Sequence, residues 1–122
     1  MASYTKAHRP DSFIRVHVAP SNAIGPGKAD LLEVIAQTGS IAEAARRMGM
    51  SYRRAWSLVK ALNGAFNSPL IETRKGGRAG GSATLTGTGR EVLRLYRAME
   101  DGAAKAIFGD IAAFRKLLVR CS

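Results

Sequence analysis

The sequence has few of the residues on which enzymes and secreted proteins commonly depend. It contains a single cysteine, Cys121, so no disulfide can form within the chain and a cysteine-based metal site would lack ligands. With only two histidines and nine acidic residues, it shows no Ser/His/Asp, Cys/His or paired-carboxylate arrangement. We therefore expect no catalytic site, no metal site and no cofactor.

Long apolar segments are also missing. No stretch approaches the roughly 18 consecutive apolar residues that a membrane span requires. The basic residues near the N-terminus are not followed by the apolar segment of a signal peptide. We expect a cytoplasmic protein with no membrane partner.

Acidic residues are heavily outnumbered by basic ones. Nineteen Lys and Arg residues against nine Asp and Glu give the 122-residue chain a formal net charge of +10. The excess is concentrated between residues 46 and 97, where eleven basic residues face two acidic ones. A single small domain with this charge favours a polyanionic partner, either nucleic acid or an acidic membrane surface. A membrane-binding helix would need basic residues flanking one strongly apolar face, so nucleic acid fits better.

The hydrophobic pattern predicts a mainly helical fold with a small β-hairpin. Residues 1–12 show no periodicity and are predicted to form a flexible arm, and residues 13–122 to form one domain. Apolar residues alternate over 13–19, which predicts a short N-terminal strand. The remaining predicted elements, in order, are helices over 28–38, 41–48 and 52–66, strands over 70–74 and 83–85, and a long last helix that starts at Thr86 or Thr88 and has weak points at Gly102 and Gly109.

The second and third predicted helices have the pattern of a helix-turn-helix. Ser40 and Glu43 have the spacing of a capping box, in which each side chain satisfies a backbone N–H of the other. Small Ala45 falls at the close contact between the helices, and Gly49 falls in the turn, where a left-handed backbone is needed. An ordinary helical hairpin with a solvated basic face is the alternative.

In a helix-turn-helix, the N-terminal residues of the recognition helix face base edges and the preceding helix crosses the DNA backbone. The residues predicted to read bases are Ser51, Tyr52, Arg53, Arg54 and Ser57. Those predicted to contact the DNA backbone from the two helices are Ser40, Arg46, Arg47 and Lys60. Trp56 lies one turn after Tyr52; we expect it chiefly to pin its helix to neighbouring elements, with contact to a sugar or base as the alternative.

A glycine-rich basic segment over 75–82 separates the two predicted strands. It resembles the wing of a winged helix, with Arg74, Lys75 and Arg78 placed to lie along phosphates or to enter a minor groove. It is not a nucleotide-binding loop, because no Gly-Lys-Ser/Thr follows and the next element is a strand. A loop that is only flexible is the alternative.

The string GSIAEAARRMGMSYRRAW at residues 39–56 resembles the N-terminal DNA-binding domain of ModE-type molybdate-responsive regulators. LysR-type winged helices share its first half. The similarity continues through LIETR at 70–74, LT and GR between 85 and 90, and LY at 95–96. The resemblance implies a winged helix-turn-helix that dimerises through its first and last long helices and binds a palindromic operator as a homodimer.

The residues that this resemblance and the last apolar stripe place at a dimer interface are Leu31, Val92, Leu95, Tyr96, Met99, Ile107 and Phe114. Full-length regulators of this type carry molybdate-binding domains after the DNA-binding domain. The sequence stops at Ser122 without length for them, so we expect no molybdate site and identify no small-molecule effector. Two other functions stay open: a sequence-indifferent nucleoid-type DNA-binding protein and a winged-helix protein-interaction module.

Overall fold

A computed structural model describes residues 15–19, 23–76 and 81–119. Within these residues, five helices and a two-stranded antiparallel hairpin follow the predicted order. The elements are α1 (Pro26–Thr38), α2 (Ile41–Met48), α3 (Tyr52–Ala65), β1 (Ile71–Arg74), β2 (Ser82–Leu85), α4 (Gly87–Ala106) and α5 (Phe108–Arg115). The fold is a winged helix-turn-helix, mainly α with a small hairpin, as the sequence predicts. No helix in the described ranges has the length and apolar character needed to cross a membrane.

The helix ends follow from local capping chemistry. The hydroxyls of Ser40 and Ser51 each accept a hydrogen bond from a backbone N–H three residues later, at 3.0 Å in both cases. The N-cap of α4 is Thr86, whose hydroxyl accepts from the N–H of Gly89 at 2.9 Å, and not Thr88. Gly49 ends α2 at φ 69°, the left-handed conformation that favours glycine. The turn between α2 and α3 is therefore fixed by its own sequence.

The predicted capping box forms only in part. Ser40 Oγ caps the backbone N–H of Glu43, but the Ser40 N–H donates to Thr38 Oγ1 at 3.3 Å. The Glu43 carboxylate instead accepts hydrogen bonds from the guanidinium groups of Arg46 and Arg47. Two arginines within reach compete successfully with a backbone donor for this carboxylate.

The core is built around α1. Leu31, Leu32 and Ile35 have no exposed surface and pack with buried side chains from the other elements. These include Leu62 of α3, Leu70 before the hairpin and Tyr96 of α4. Because α1 contacts the helix-turn-helix, the hairpin and α4, it holds these three parts of the fold together.

The predicted N-terminal strand is wrong for the residues that the structure describes. Over 15–19, Val18 makes only an isolated antiparallel bridge with Ile24, because the chain turns back on itself and meets no sheet. The alternation of burial is nevertheless present, since Val16 and Val18 pack against the core while Arg15 and His17 are exposed. The start of that strand and the arm predicted over 1–12 lie outside the described residues.

The last helix is divided in two. It breaks at Ile107, whose φ of −103° and ψ of 8° leave the helical region, and α5 begins at the next residue. Neither predicted weak point causes the break, because Gly102 lies inside α4 and Gly109 inside α5.

The hairpin is anchored closely to the helices at its base. Ile71 pairs with Leu85 and Arg74 with Ser82, and the Ala83 N–H donates to the Gly39 carbonyl at 2.9 Å. At Gly89, a Cβ atom would lie 2.2 Å from the Leu70 carbonyl oxygen, so this contact between α4 and the hairpin base requires glycine. The wing therefore starts from a fixed position beside the recognition helix.

Candidate nucleic-acid interface

The turn between α2 and α3 brings the two helices close together. Ala44, Ala45 and Ala55 are buried at this contact, where larger side chains would separate the helix axes. The Ala45 carbonyl accepts hydrogen bonds across the turn, including one of 3.0 Å from the Met50 N–H. As a result, the first turn of α3 is presented at the surface at a fixed angle to α2.

The residues predicted to read bases lie together on this first turn. Ser51, Tyr52, Arg53 and Arg54 are all exposed, and so is Ser57 one turn later. Neither Arg53 nor Arg54 makes a salt bridge in the described part of the chain, so both guanidinium groups are available to a ligand. Two arginines at the start of an exposed helix can donate to guanine edges or to phosphate oxygens.

Tyr52 and Trp56 form an aromatic pair beside these arginines. Their ring centroids are 6.3 Å apart and the ring planes meet at 81°, an edge-to-face arrangement. Tyr52 is 55% exposed, whereas Trp56 is half-buried and packs against the core. The prediction that Trp56 mainly supplies burial agrees with this placement, and the pairing adds a link to the recognition surface.

A cleft of about 450 Å³ separates the helix-turn-helix from the wing. Its helical wall includes Ser40, Tyr52 and Trp56, and its opposite wall includes Arg74 and Lys75. These five residues, which come from the N-cap of α2, from α3 and from the end of β1 with the residue after it, are thus brought to one concavity. The remaining predicted wing residue, Arg78, lies outside the described residues.

Arg46 and Arg47 are exposed at the end of α2 but share the Glu43 carboxylate. The hydrogen bond from Arg46 lowers the pKa of Glu43 and raises that of Arg46. Both groups therefore stay charged at neutral pH, and the carboxylate offsets part of the positive charge of α2. Lys60, by contrast, is exposed on α3 and forms no salt bridge among the described residues.

Part of the basic excess in the sequence belongs to the fold rather than to the interface. Arg97 on α4 bonds Asp30 and Glu33 of α1, both at 2.8 Å, and Glu100 of α4 at 2.9 Å. Burial raises the pKa of Asp30. Burial also opposes the charge of Arg97, but hydrogen bonds to its carboxylate partners outweigh this and raise its pKa.

Two further arginines of that basic excess also have partners, one on α4 and one at the end of β2. Arg94 pairs with Glu91 at 2.6 Å, and Arg90 donates to the Leu85 carbonyl at 3.0 Å. The basic excess between residues 46 and 97 therefore lies only partly at the recognition helix and wing. The i,i+3 spacing of Arg97 and Glu100 was a signal for this cluster, but its partners on α1 lie more than sixty positions away.

The residues predicted for a dimer interface divide into two groups. Leu31 and Tyr96 have no exposed surface and belong to the core of the chain itself. The prediction that these two residues contact a partner is therefore corrected. Leu95, Met99 and Phe114 are 46%, 43% and 58% exposed. Val92 and Ile107 are half-buried. Exposed apolar residues on or after α5 that were not assigned to the interface are Phe108, Leu117, Leu118 and Val119.

Comparison with known proteins agrees with this geometry. Residues 28–90, more than half of the 122-residue chain, match the family described as bacterial regulatory helix-turn-helix protein, lysR family. The chain belongs to this LysR-type family. The matched range runs from α1 through the hairpin to the start of α4, so it contains the cleft and the exposed turn of α3.

Relatives with longer chains resemble this LysR-type protein over the same region. It is 42% identical over 84 residues to the molybdenum-pterin-binding protein MopB of Rhodobacter capsulatus, covering 69% of this chain and 31% of MopB. It is 35% identical over 107 residues to the molybdenum transport protein ModE of Azotobacter vinelandii, covering 79% of this chain and 40% of that protein. With the DNA-binding transcriptional dual regulator ModE of Escherichia coli K12, identity is 38% over 71 residues, which cover 58% and 27%.

The chain thus spans between about a quarter and two-fifths of the length of these relatives. The resemblance to the N-terminal DNA-binding domain of ModE-type regulators is confirmed. The family and the Escherichia coli relative both support a DNA-binding transcription regulator.

Proposed function

We propose that this LysR-type protein is a sequence-specific transcription regulator that binds a palindromic operator as a homodimer in the bacterial cytoplasm. The observation that carries the proposal is the exposed first turn of α3, where Arg53 and Arg54 stand without salt-bridge partners in the described structure. In the proposed complex this turn enters the major groove. Ser51, Tyr52, Arg53, Arg54 and Ser57 then face base edges.

The DNA backbone is held on either side of this turn. The exposed residues Arg46 and Arg47 at the end of α2 and Lys60 on α3 are assigned to backbone contacts from the helices, and Arg74 and Lys75 to backbone contacts from the wing. Ser40, at the N-terminus of α2, and Arg78, in the wing segment, complete the proposed backbone set. If about eight phosphates are contacted per dimer, the logarithm of the association constant falls against the logarithm of salt concentration with a slope of about −7.

The dimer is proposed to form through α4 and α5. Leu95 and Met99 lie one turn apart on α4 and are exposed, as is Phe114 on α5. Pairing of these helices would place two recognition helices about 34 Å apart, one turn of the duplex. Light scattering tests this step: we expect a dimer for the wild type and a monomer for Leu95→Asp, whereas a monomeric wild type at micromolar concentration would contradict it.

Selection of bound duplexes from a random pool tests the proposed function. We expect an enriched site with two inverted half-sites, bound at least a hundredfold more tightly than a scrambled duplex at moderate salt, as is typical of specific readers. Equal affinity for all duplexes would favour the nucleoid-type alternative, and no binding to any DNA would favour a protein-interaction module. Because several relatives are named for molybdenum, the selection is repeated with molybdate present to test whether the oxyanion alters the site.

A further inference from the structure

We propose that Trp56 is a positioning residue for sequence reading, which acts by holding the ring of Tyr52 in one orientation on the wall of the cleft. This inference rests on the proposed function, because it concerns how α3 reads DNA. The two aromatic side chains lie one helical turn apart, Tyr52 at the first residue of α3 and Trp56 in its second turn.

The two rings differ in their surroundings. Trp56 is half-buried and packs against the core, so its position is fixed by the fold. Tyr52 is 55% exposed, and its hydroxyl makes no hydrogen bond within the described part of the chain. An aromatic ring so exposed at a helix start would ordinarily exchange between rotamers.

The edge-to-face contact is what restrains Tyr52. With centroids 6.3 Å apart and planes at 81°, the rings are in the geometry that aromatic pairs prefer. A ring held in this way retains its orientation before DNA arrives and loses less conformational freedom on binding. The restrained group carries an unpaired hydroxyl, which can donate to or accept from a base edge.

The position of this pair in the cleft allows it to affect discrimination between DNA sequences. Tyr52 and Trp56 line the helical wall, and Arg74 and Lys75 line the wing wall. In the proposed complex, a DNA strand that passes between α3 and the wing is attracted by Arg74 and Lys75 and contacts the Tyr52 ring. Loss of the restraint on Tyr52 should therefore reduce discrimination between sequences more than it reduces general affinity for DNA.

A double-mutant cycle tests this inference, with the affinity ratio between the selected duplex and a scrambled duplex as its readout. Trp56→Leu should lower the ratio about three- to tenfold, the factor expected from an orientation-dependent aromatic contact. Trp56→Phe, which keeps a ring edge facing Tyr52, should retain most of the ratio. In a Tyr52→Ala background, Trp56→Leu should have no further effect on the ratio.

The outcomes separate this inference from the proposed function. A wild type that fails to discriminate overturns the proposed function and the inference together. If the wild type discriminates, two results overturn the inference alone. One is that Trp56→Leu leaves the affinity ratio unchanged. The other is that Trp56→Leu lowers the ratio as much in the Tyr52→Ala background as in the wild type.

Fluorescence provides a test that does not depend on how well Trp56→Leu folds, because Trp56 is the single tryptophan of the sequence. Its emission should change more on binding the selected duplex than on binding the scrambled one. In Tyr52→Ala, which removes the ring that contacts Trp56, this difference should disappear. An undiminished difference in Tyr52→Ala would contradict the inference.

Discussion

Asn63 on α3 and Ile71 on β1 exchange two hydrogen bonds. The Asn63 Nδ2 donates to the Ile71 carbonyl at 3.1 Å, and the Ile71 N–H donates to Asn63 Oδ1 at 3.0 Å. The same oxygen accepts from the Leu70 N–H at 2.8 Å. One side-chain amide therefore joins α3 to the start of the hairpin, so these two elements keep a fixed relative position.

Replacing Asn63 by Ala should lower the free energy of unfolding by about 2–4 kcal/mol, because two backbone N–H groups lose their acceptor. Leu70 and Ile71 are buried, so water cannot easily replace the amide. Urea denaturation measures the change. Asn67→Ala is the matched control, since Asn67 is exposed and makes no side-chain hydrogen bond in the described structure. Equal, small effects of the two variants would show that the amide contributes little.

The cluster around Arg97 should be a major contributor to stability. In Arg97→Ala, the carboxylates of Asp30, Glu33 and Glu100 remain largely buried without their shared cation. We expect a loss of about 3–5 kcal/mol in the free energy of unfolding.

Arg94→Ala is the control for this variant. Arg94 also pairs with an acidic residue three positions away, but both side chains are more than half exposed. Solvent and salt weaken such a pair, so its removal should leave stability almost unchanged. If both variants lose a comparable free energy of unfolding, each arginine stabilises the helix α4 and the buried cluster makes no special contribution.

Local features of the sequence predicted the helix-turn-helix and the hairpin well. Ser40 and Ser51 cap the two helices, and Gly49 forms the turn between them. Each acts within three or four residues of its own position, so its role can be predicted from the order of residues alone. The two strands were predicted to within one residue of their ends, from short segments on either side of the glycine-rich wing.

Interactions between distant segments were not predictable in this way. The sequence offered no signal that Asn63 would bond Ile71 or that Arg97 would bond Asp30, because both depend on how elements pack. An apolar stripe shows which face of α4 is covered but not what covers it. Tyr96 was therefore expected at a partner, whereas its hydroxyl donates to the Val16 carbonyl of the same chain at 2.5 Å.

Glu43 should weaken DNA binding. Its carboxylate lies in the first turn of α2 and pairs with Arg46 and Arg47, two residues proposed to contact phosphates. Glu43→Gln should strengthen binding about two- to fivefold on selected and scrambled duplexes alike, and the gain should shrink as salt is raised. Filter binding or fluorescence anisotropy measures this.

Glu91→Gln removes the same charge from a carboxylate that also pairs with an arginine, Arg94 on α4. It should produce a clearly smaller gain. Equal gains in the two variants would mean that net charge alone is responsible, and the assignment of α2 to the DNA backbone would lose its support.

Asp30 gives stability a defined dependence on pH. Burial raises the pKa of Asp30 above its ordinary value of 3.8, so the folded protein binds a proton that the unfolded chain has already released. The contribution of this group is most favourable below the unfolded pKa and is lost as pH rises through the raised folded pKa. The free energy of unfolding of the wild type, relative to Asp30→Asn, should therefore decline from pH 3.5 towards neutrality. A relative stability that rises over this range would reverse the sign of the shift.

The most direct test of base reading by α3 compares the affinity ratio between selected and scrambled duplexes in two kinds of variant. Arg53→Ala and Arg54→Ala should each cost about 1–3 kcal/mol on the selected duplex, with little loss on the scrambled one, so the ratio falls about fivefold or more. Lys75→Ala, on the wing, should weaken both duplexes equally and leave the ratio intact. If the two arginine variants lose equal affinity on both duplexes, Arg53 and Arg54 are phosphate contacts and the first turn of α3 is not the reader.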